Sequence, residues 1–245
     1  MTTLQHSSTP SAAQWRSRAE PAAWAGGQVV LLGVLESTVG LGALGWLAGA
    51  AFAVANQALL SGAVQRSRHV LGPADRVTLA RGLLVGGVTA LVADGGRTTA
   101  LIVVLAAVAL ALDFVDGRVA RRTGTASPLG ARFDMEVDAF LILVLSVHVA
   151  LAFGPWVLVM GALRYAFVAA SWGLPRLRGA LPPSYARKVV AAVQGIALVV
   201  AASGLVPHSE VVVGLALASL VWSFGRDIVR LWRGAAISVE GVENV

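Results

Sequence analysis

The sequence contains no cysteine and little charge, and each shortage excludes a class of protein. Without cysteine there can be no disulfide, no zinc ribbon and no thiol nucleophile. Charged residues make up 13% of the 245 residues and hydrophobic residues 57%, whereas about 25% charge is usual in soluble domains. A soluble globule needs more polar surface than this, and the same composition excludes a disordered chain. These proportions indicate a membrane protein with several spans.

Apolar runs long enough to cross a bilayer recur along the chain. A helical span needs about 20 apolar residues. Six runs of this kind cover approximately residues 76–93, 98–121, 130–153, 155–173, 186–206 and 210–232. Backbone polar groups must be satisfied within the segment in lipid, so these runs are helices. The sequence therefore predicts an all-α, polytopic transmembrane bundle with six core helices.

The remaining residues divide into two tails and an additional hydrophobic segment. Residues 1–21 are polar and lack a signal-peptide pattern, so we expect a disordered cytoplasmic tail. Residues 22–63 are too long for one span and short for two. Turn-forming residues at 36–42 favour two short helices, eight in all, over one long bent helix. We assign the core to residues 64–234 and a C-terminal tail to residues 235–245.

The basic residues indicate how the chain is oriented. They number 19 against 13 acidic residues, and lysine occurs only at position 188. Cytoplasmic loops of membrane proteins collect lysine and arginine. Every basic residue except Arg97 and Arg164 can be placed on one side of a bundle with both termini cytoplasmic. Topology thus explains the basic excess, and no basic–aromatic interleaving indicates nucleic-acid binding. We expect an integral protein of the inner or cell membrane.

Four aspartates lie at facing ends of two consecutive spans. Asp113 and Asp116 are three residues apart at the end of one run, and Asp134 and Asp138 are four apart at the start of the next. Both spacings put the pair on one helix face. An antiparallel arrangement of the two helices would bring all four carboxylates together at the cytoplasmic membrane surface. Carboxylates at such positions are costly and indicate a functional site.

Four facing carboxylates favour a divalent metal site over a set of helix caps. Like charges this close cannot all stay ionised without a cation. Oxygen ligands select Mg²⁺ or Mn²⁺, and a pair of such ions is typical of phosphoryl transfer. Small residues on the same faces, Gly117, Ala120 and Gly130, leave room for a bulky ligand. The alternative is that the aspartates only cap helices and pair with nearby arginines. This alternative explains poorly why four carboxylates converge on two facing helix ends.

The same segment resembles the signature of a known enzyme family. The motif D-x2-D-G-x2-A-R-x8-G-x3-D-x3-D is characteristic of the CDP-alcohol phosphatidyltransferases. Its eight fixed positions are filled, with every gap correct, by Asp113, Asp116, Gly117, Ala120, Arg121, Gly130, Asp134 and Asp138. Two weaker similarities accompany it. Asp75, Thr78 and Arg81 follow the family's N-x2-T-x2-R with aspartate for asparagine, and the fifth core helix keeps Lys188 and Gln194 of G-K-x-K-T-x2-Q.

The resemblance implies six transmembrane helices around a cavity open to the cytosol, in a homodimer. It implies that an alcohol attacks a CDP-linked donor and releases CMP. Asp113, Asp116 and Asp134 would bind two Mg²⁺ or Mn²⁺ ions, and Asp138 would be both the general base and a metal ligand. The residues implied at the CDP group are Thr78, Gly117, Ala120, Arg121 and Gly130.

On this basis we expect a phosphatidyltransferase of phospholipid synthesis that uses CDP-diacylglycerol and a small alcohol. Arg164 and Lys188 are the candidates for the acceptor site. Arg164 lies within a span and needs an acidic partner or an anionic ligand, whereas Glu136 lies on a different face from the aspartates and is expected to be an ordinary interfacial charge. The loss of a second lysine near Lys188 weakens the case for glycerol 3-phosphate as acceptor.

Three alternatives stay open. A CDP-linked polar alcohol could be the donor to a lipid or an inositol phosphate, because the same motif permits it. A divalent-cation transporter also needs carboxylates in a membrane, although it predicts them across the midplane rather than at one face. A non-catalytic lipid-binding protein would not need the complete motif.

Overall fold

The chain forms a bundle of long helices. The computed structural model describes residues 12–67, 73–123, 128–174, 177, 179 and 184–243, with side chains described only within 23–59, 62, 75–115, 130–174, 177, 179 and 184–232. The described part contains eight α-helices: α1 (Ala12–Val39), α2 (Ala43–Ser67), α3 (Pro73–Ala93), α4 (Thr99–Thr123), α5 (Pro128–Phe153), α6 (Leu158–Gly173), α7 (Tyr185–Ser203) and α8 (Ser209–Glu243). A 3-10 turn at Pro155–Val157 precedes α6. The expected all-α bundle is confirmed.

Five helices are long and apolar enough to cross a membrane. They are Asp75–Ala93, Gly130–Phe153, Pro155–Gly173, Tyr185–Ser203 and Ser209–Trp232. These segments match five of the six expected core spans. The sixth corresponds to α4, whose described apolar part, Thr99–Val115, is shorter. The protein is therefore an integral membrane protein by the length and composition of its helices.

The N-terminal hydrophobic segment folds as two helices, as expected. Between α1 and α2, Gly40 has a backbone φ of 72°, a left-handed conformation that glycine adopts without strain. The Gly42 N–H donates a hydrogen bond of 2.9 Å to the Asp94 carboxylate, beyond the end of α3. The Trp46 indole donates to Glu36 across the same turn. These contacts join the additional hairpin to the turn between α3 and α4.

The two terminal helices extend further than the sequence suggested. Helix α1 begins at Ala12, inside the expected tail of residues 1–21, and α8 continues to Glu243, past the expected core end at residue 234. The residues from Ala12 to 21 of the expected tail are thus part of α1. Polar sequence rich in alanine, arginine, glutamine and glutamate has high helix propensity whether or not it crosses a membrane.

Helix α3 lies in the middle of the bundle and is its most buried span. It packs against α1, α2, α4 and α5, while α5 also packs against α6 and α7. Val85, Val88 and Leu141 are fully buried at these contacts. Large apolar side chains on the outer helices, such as Trp172 and Leu215, are exposed. This apolar exterior suits contact with lipid, and the buried face of α3 is where polar groups converge.

A close helix contact gives one testable consequence for stability. A Cβ atom added at Gly161 of α6 would lie 2.5 Å from the Leu143 Cα of α5, so the two backbones would have to separate. We expect Gly161→Ala to lower the thermal unfolding midpoint in detergent, with an overpacking penalty of about 1–3 kcal/mol. Gly173→Ala is the matched control, because nothing lies within 4 Å of its Cβ position. Equal midpoints for the two variants would contradict this packing.

Candidate active site

Three of the four motif aspartates come together at one end of the bundle. Each of Asp113, Asp134 and Asp138 offers a carboxylate oxygen, and these oxygens lie within 4.8 Å of one another. Asp113 comes from the last part of α4, while Asp134 and Asp138 lie in successive turns of α5. We call these three residues the aspartate triad. Its members meet because both helices pack against α3.

The centre of the triad is a buried arginine from α3. The Arg81 side chain has no exposed surface. Its guanidinium pairs with the carboxylates of Asp134 and Asp138, and its Nη1 lies 3.0 Å from Asp113 Oδ1. A planar guanidinium can contact several carboxylates at once, which a lysine ammonium does less well. Arg81 therefore connects α3 to both helices that carry the triad.

From the sequence, Arg81 was counted among the charges that orient the chain in the membrane and as part of a weak motif. Its place at the centre of the triad was not predicted. The signal was present in the spacing. Asp75, Thr78 and Arg81 recur every three residues, and the same face continues into Val85 and Val88. All five residues are buried. A charge that shares a helix face with buried valines points into the bundle rather than toward the membrane surface.

The carboxylates of the triad are partly accessible, although Arg81 itself is buried. The side chains of Asp113, Asp134 and Asp138 keep 39%, 31% and 33% exposure. One guanidinium thus contacts three carboxylates at a partly accessible position. Clustered carboxylate oxygens are the donors that Mg²⁺ and Mn²⁺ prefer. The residues thus fit a divalent metal, which would be held by the three carboxylates.

The other expected site residues are only partly described. Asp116, Gly117, Ala120 and Arg121 belong to the helical backbone of α4, but their side chains lie outside the described residues. Gly130 lies in the first turn of α5, one turn before Asp134. Thr78 is buried on α3, one turn from Arg81.

The two acceptor-site candidates differ in their surroundings. Arg164 of α6 forms an ion pair with Glu136 of α5, so it has the acidic partner that its place in a span requires. Glu136 also borders a mainly apolar cavity of about 430 Å³ between α2, α5 and α6. That cavity lies on another face of α5 from Asp134 and Asp138. Lys188 is exposed in the first turn of α7.

A cluster of arginines that the sequence analysis counted only as topology charges surrounds a buried aspartate on α8. Asp227 is 7% exposed and lies 3.4 Å from Arg187 Nη1 of α7. Arg226 Nε and Arg230 Nη1 lie 3.7 and 3.9 Å from Asp227 Oδ1 of the same carboxylate. The Arg226 guanidinium also lies 4.9 Å from the Trp222 ring centroid. Three arginines thus gather around one aspartate, and we call this group the Asp227 cluster.

The comparisons with known proteins agree with the triad. The model of the CDP-alcohol phosphatidyltransferase family matches residues 72–222, which is more than half of the chain and includes α3 to α7 and part of α8. No curated protein and no solved structure was found to match the chain. The matched range contains all three triad aspartates and Arg81. The chain therefore belongs to the CDP-alcohol phosphatidyltransferase family, whose members transfer a phosphoalcohol group from a CDP-alcohol to an alcohol acceptor.

Proposed function

We propose that this protein is a phosphatidyltransferase of phospholipid synthesis, which moves a phosphatidyl group from CDP-diacylglycerol to a small alcohol and releases CMP. The observation that carries the proposal is the position of the aspartate triad. Asp134 and Asp138 lie in the first half of the apolar span Gly130–Phe153, and the triad is about one-third exposed. A lipid-linked donor reaches such a place from the bilayer, while a water-soluble acceptor reaches it from the aqueous side.

The proposed metal site uses the triad together with Asp116. The family depends on divalent metals in general. We propose two ions, Mg²⁺ or Mn²⁺, with Asp113, Asp116, Asp134 and Asp138 as ligands. When bound, the metal stabilises negative charge on the diphosphate and on the departing CMP. The chain itself supplies the carboxylates and holds them with Arg81.

Asp138 is the proposed general base. Its carboxylate is accessible and lies one turn beyond Asp134, next to the place where the diphosphate would bind. It accepts the proton of the acceptor hydroxyl. The hydroxyl oxygen then forms a bond to the β-phosphorus, which carries the lipid, and the bond from this phosphorus to the CMP oxygen breaks. Positioning of the two substrates supplies much of the rate.

The proposed site for the CDP group lies along the motif itself. Thr78 offers a hydroxyl on the buried face of α3, and Gly130 allows close approach at the start of α5. Gly117, Ala120 and Arg121 complete the proposed site on α4. Arg121 would pair with the diphosphate, because guanidinium groups bind phosphate oxygens well.

The acceptor is proposed to carry an anionic group. Arg164 and Lys188 remain candidates for its site, and the Asp227 cluster adds a third place where arginine side chains gather. Arg187 of this cluster is next to Lys188 in the sequence. An acceptor that bears a phosphate would be attracted to these cations, whereas a neutral alcohol would gain less.

The proposed setting is the inner or cell membrane, with the triad facing the cytoplasm. The basic residues at the triad end support this orientation through the positive-inside rule.

We also propose a homodimer. The apolar outer face of α6, which includes Val168 and Trp172, offers a surface that a second copy could cover. Cross-linking in native membranes tests this association.

An acceptor panel tests the proposed function directly. Membranes that contain the protein are incubated with labelled CDP-diacylglycerol, Mg²⁺ and one small alcohol at a time, and the lipid formed is identified. We expect one new phospholipid and stoichiometric CMP, with phosphate-bearing alcohols preferred over their neutral counterparts. Membranes lacking the protein are the control. Product formation only from a CDP-linked polar alcohol would favour the alternative donor, and no product from any pair would contradict the assignment.

A further inference from the structure

Arg81 is a permanent cation in contact with the same carboxylates that would hold the metal. It comes from α3, has no exposed surface, and touches all three members of the triad. The three carboxylate side chains are still about one-third exposed. A divalent ion held by these carboxylates would therefore share their negative charge with the guanidinium.

The electrostatic consequence has a definite sign. A positive charge that touches the ligands of a cation repels that cation, and the repulsion is large where little water screens it. Arg81 should therefore weaken metal binding, although it holds the ligands in place. A purely structural arginine would have the opposite effect, because its loss would let the carboxylates separate and would weaken metal binding.

We propose that Arg81 is a positioning residue that also lowers the metal affinity of the aspartate triad. The metal is then held loosely enough for the site to adjust when the charged diphosphate arrives and when CMP leaves. This inference rests on the proposed metal role of the triad.

The test measures Mn²⁺ binding by the purified full-length protein in detergent, without substrate, from the electron paramagnetic resonance signal of free Mn²⁺. We expect Arg81→Gln to lower the Mn²⁺ dissociation constant by about tenfold or more, while turnover falls because the triad is less well positioned. Arg81→Lys keeps the charge and should stay within about threefold of the wild-type dissociation constant. Arg97→Gln removes a cation at the opposite end of α3 and α4 and should leave the constant unchanged.

Each outcome decides the inference. Tighter binding in Arg81→Gln with reduced turnover supports it, whereas unchanged or weaker binding in folded Arg81→Gln overturns it. If Arg81→Gln does not fold, Arg81→Lys decides, because a shift of more than about tenfold in either direction would show that charge at this position does not set the affinity. Absence of Mn²⁺ binding in the wild-type protein would overturn the metal role itself, which separates that failure from a failure of the Arg81 inference.

Discussion

Replacing Asp138 with asparagine is expected to reduce CMP release by about a hundredfold to ten-thousandfold, the usual contribution of a general base. Asparagine has nearly the same shape as aspartate and can still contact Arg81. It cannot accept a proton from the acceptor hydroxyl at neutral pH. The measurement is the rate of CMP release by purified Asp138→Asn with saturating donor, acceptor and Mg²⁺.

The matched control is Asp94→Asn, at the opposite end of α3. The Asp94 carboxylate accepts a hydrogen bond from the Gly42 N–H, and the asparagine oxygen can accept the same bond. We expect this variant to release CMP at the wild-type rate. Full activity in Asp138→Asn would show that another group takes the proton. If vesicle assays showed loss of ion flux rather than of transfer, the transporter alternative would be correct.

Removing divalent metal is expected to bring CMP release to background. The three carboxylates then repel the diphosphate, and nothing stabilises the charge that develops on the departing CMP. Mg²⁺ or Mn²⁺ should restore activity, because both prefer oxygen ligands. The helices should persist, since the packing around α3 is apolar and Arg81 still offsets part of the triad's charge.

The assay combines CMP release with circular dichroism on the same chelator-treated sample. If the helical signal is unchanged while CMP release is lost and then returns with added metal, the loss is assigned to the metal site rather than to unfolding. Persistent activity at a metal content well below one ion per chain would argue against metal-assisted transfer. Permanent loss of helix would instead mean that the metal is needed for the fold.

The sequence predicted the parts of the structure that depend on local spacing. Intervals of three and four residues placed the motif aspartates on two helix faces, and Asp113, Asp134 and Asp138 do converge. The turn at Gly40 was recognised because glycine relieves the strain of a left-handed conformation. Such features need only a few neighbouring residues and can be read from the chain itself.

Features that depend on which helix packs where could not be predicted in the same way. A count of positive charges places Arg81 at a membrane surface, but the packing of α4 and α5 on α3 makes it the centre of the site. An acidic partner was likewise only one of two expectations for Arg164, and the packing of α6 beside α5 makes Glu136 that partner. The Asp227 cluster joins Arg187 and Asp227, which are 40 positions apart, and no local sequence pattern predicts this contact.

The buried arginine also has a consequence for how the protein is made. The ribosome completes Arg81 53 residues before Asp134 and 57 residues before Asp138. An arginine in a span is costly at about 2.5–3.5 kcal/mol on insertion scales when it reaches the centre of the bilayer. Asp113 of α4 is made next and offers Arg81 its first triad carboxylate, and α5 then adds Asp134 and Asp138. The order of synthesis therefore makes the contacts of Arg81 accumulate one helix at a time, and the catalytic centre is complete only after α5 has packed on α3.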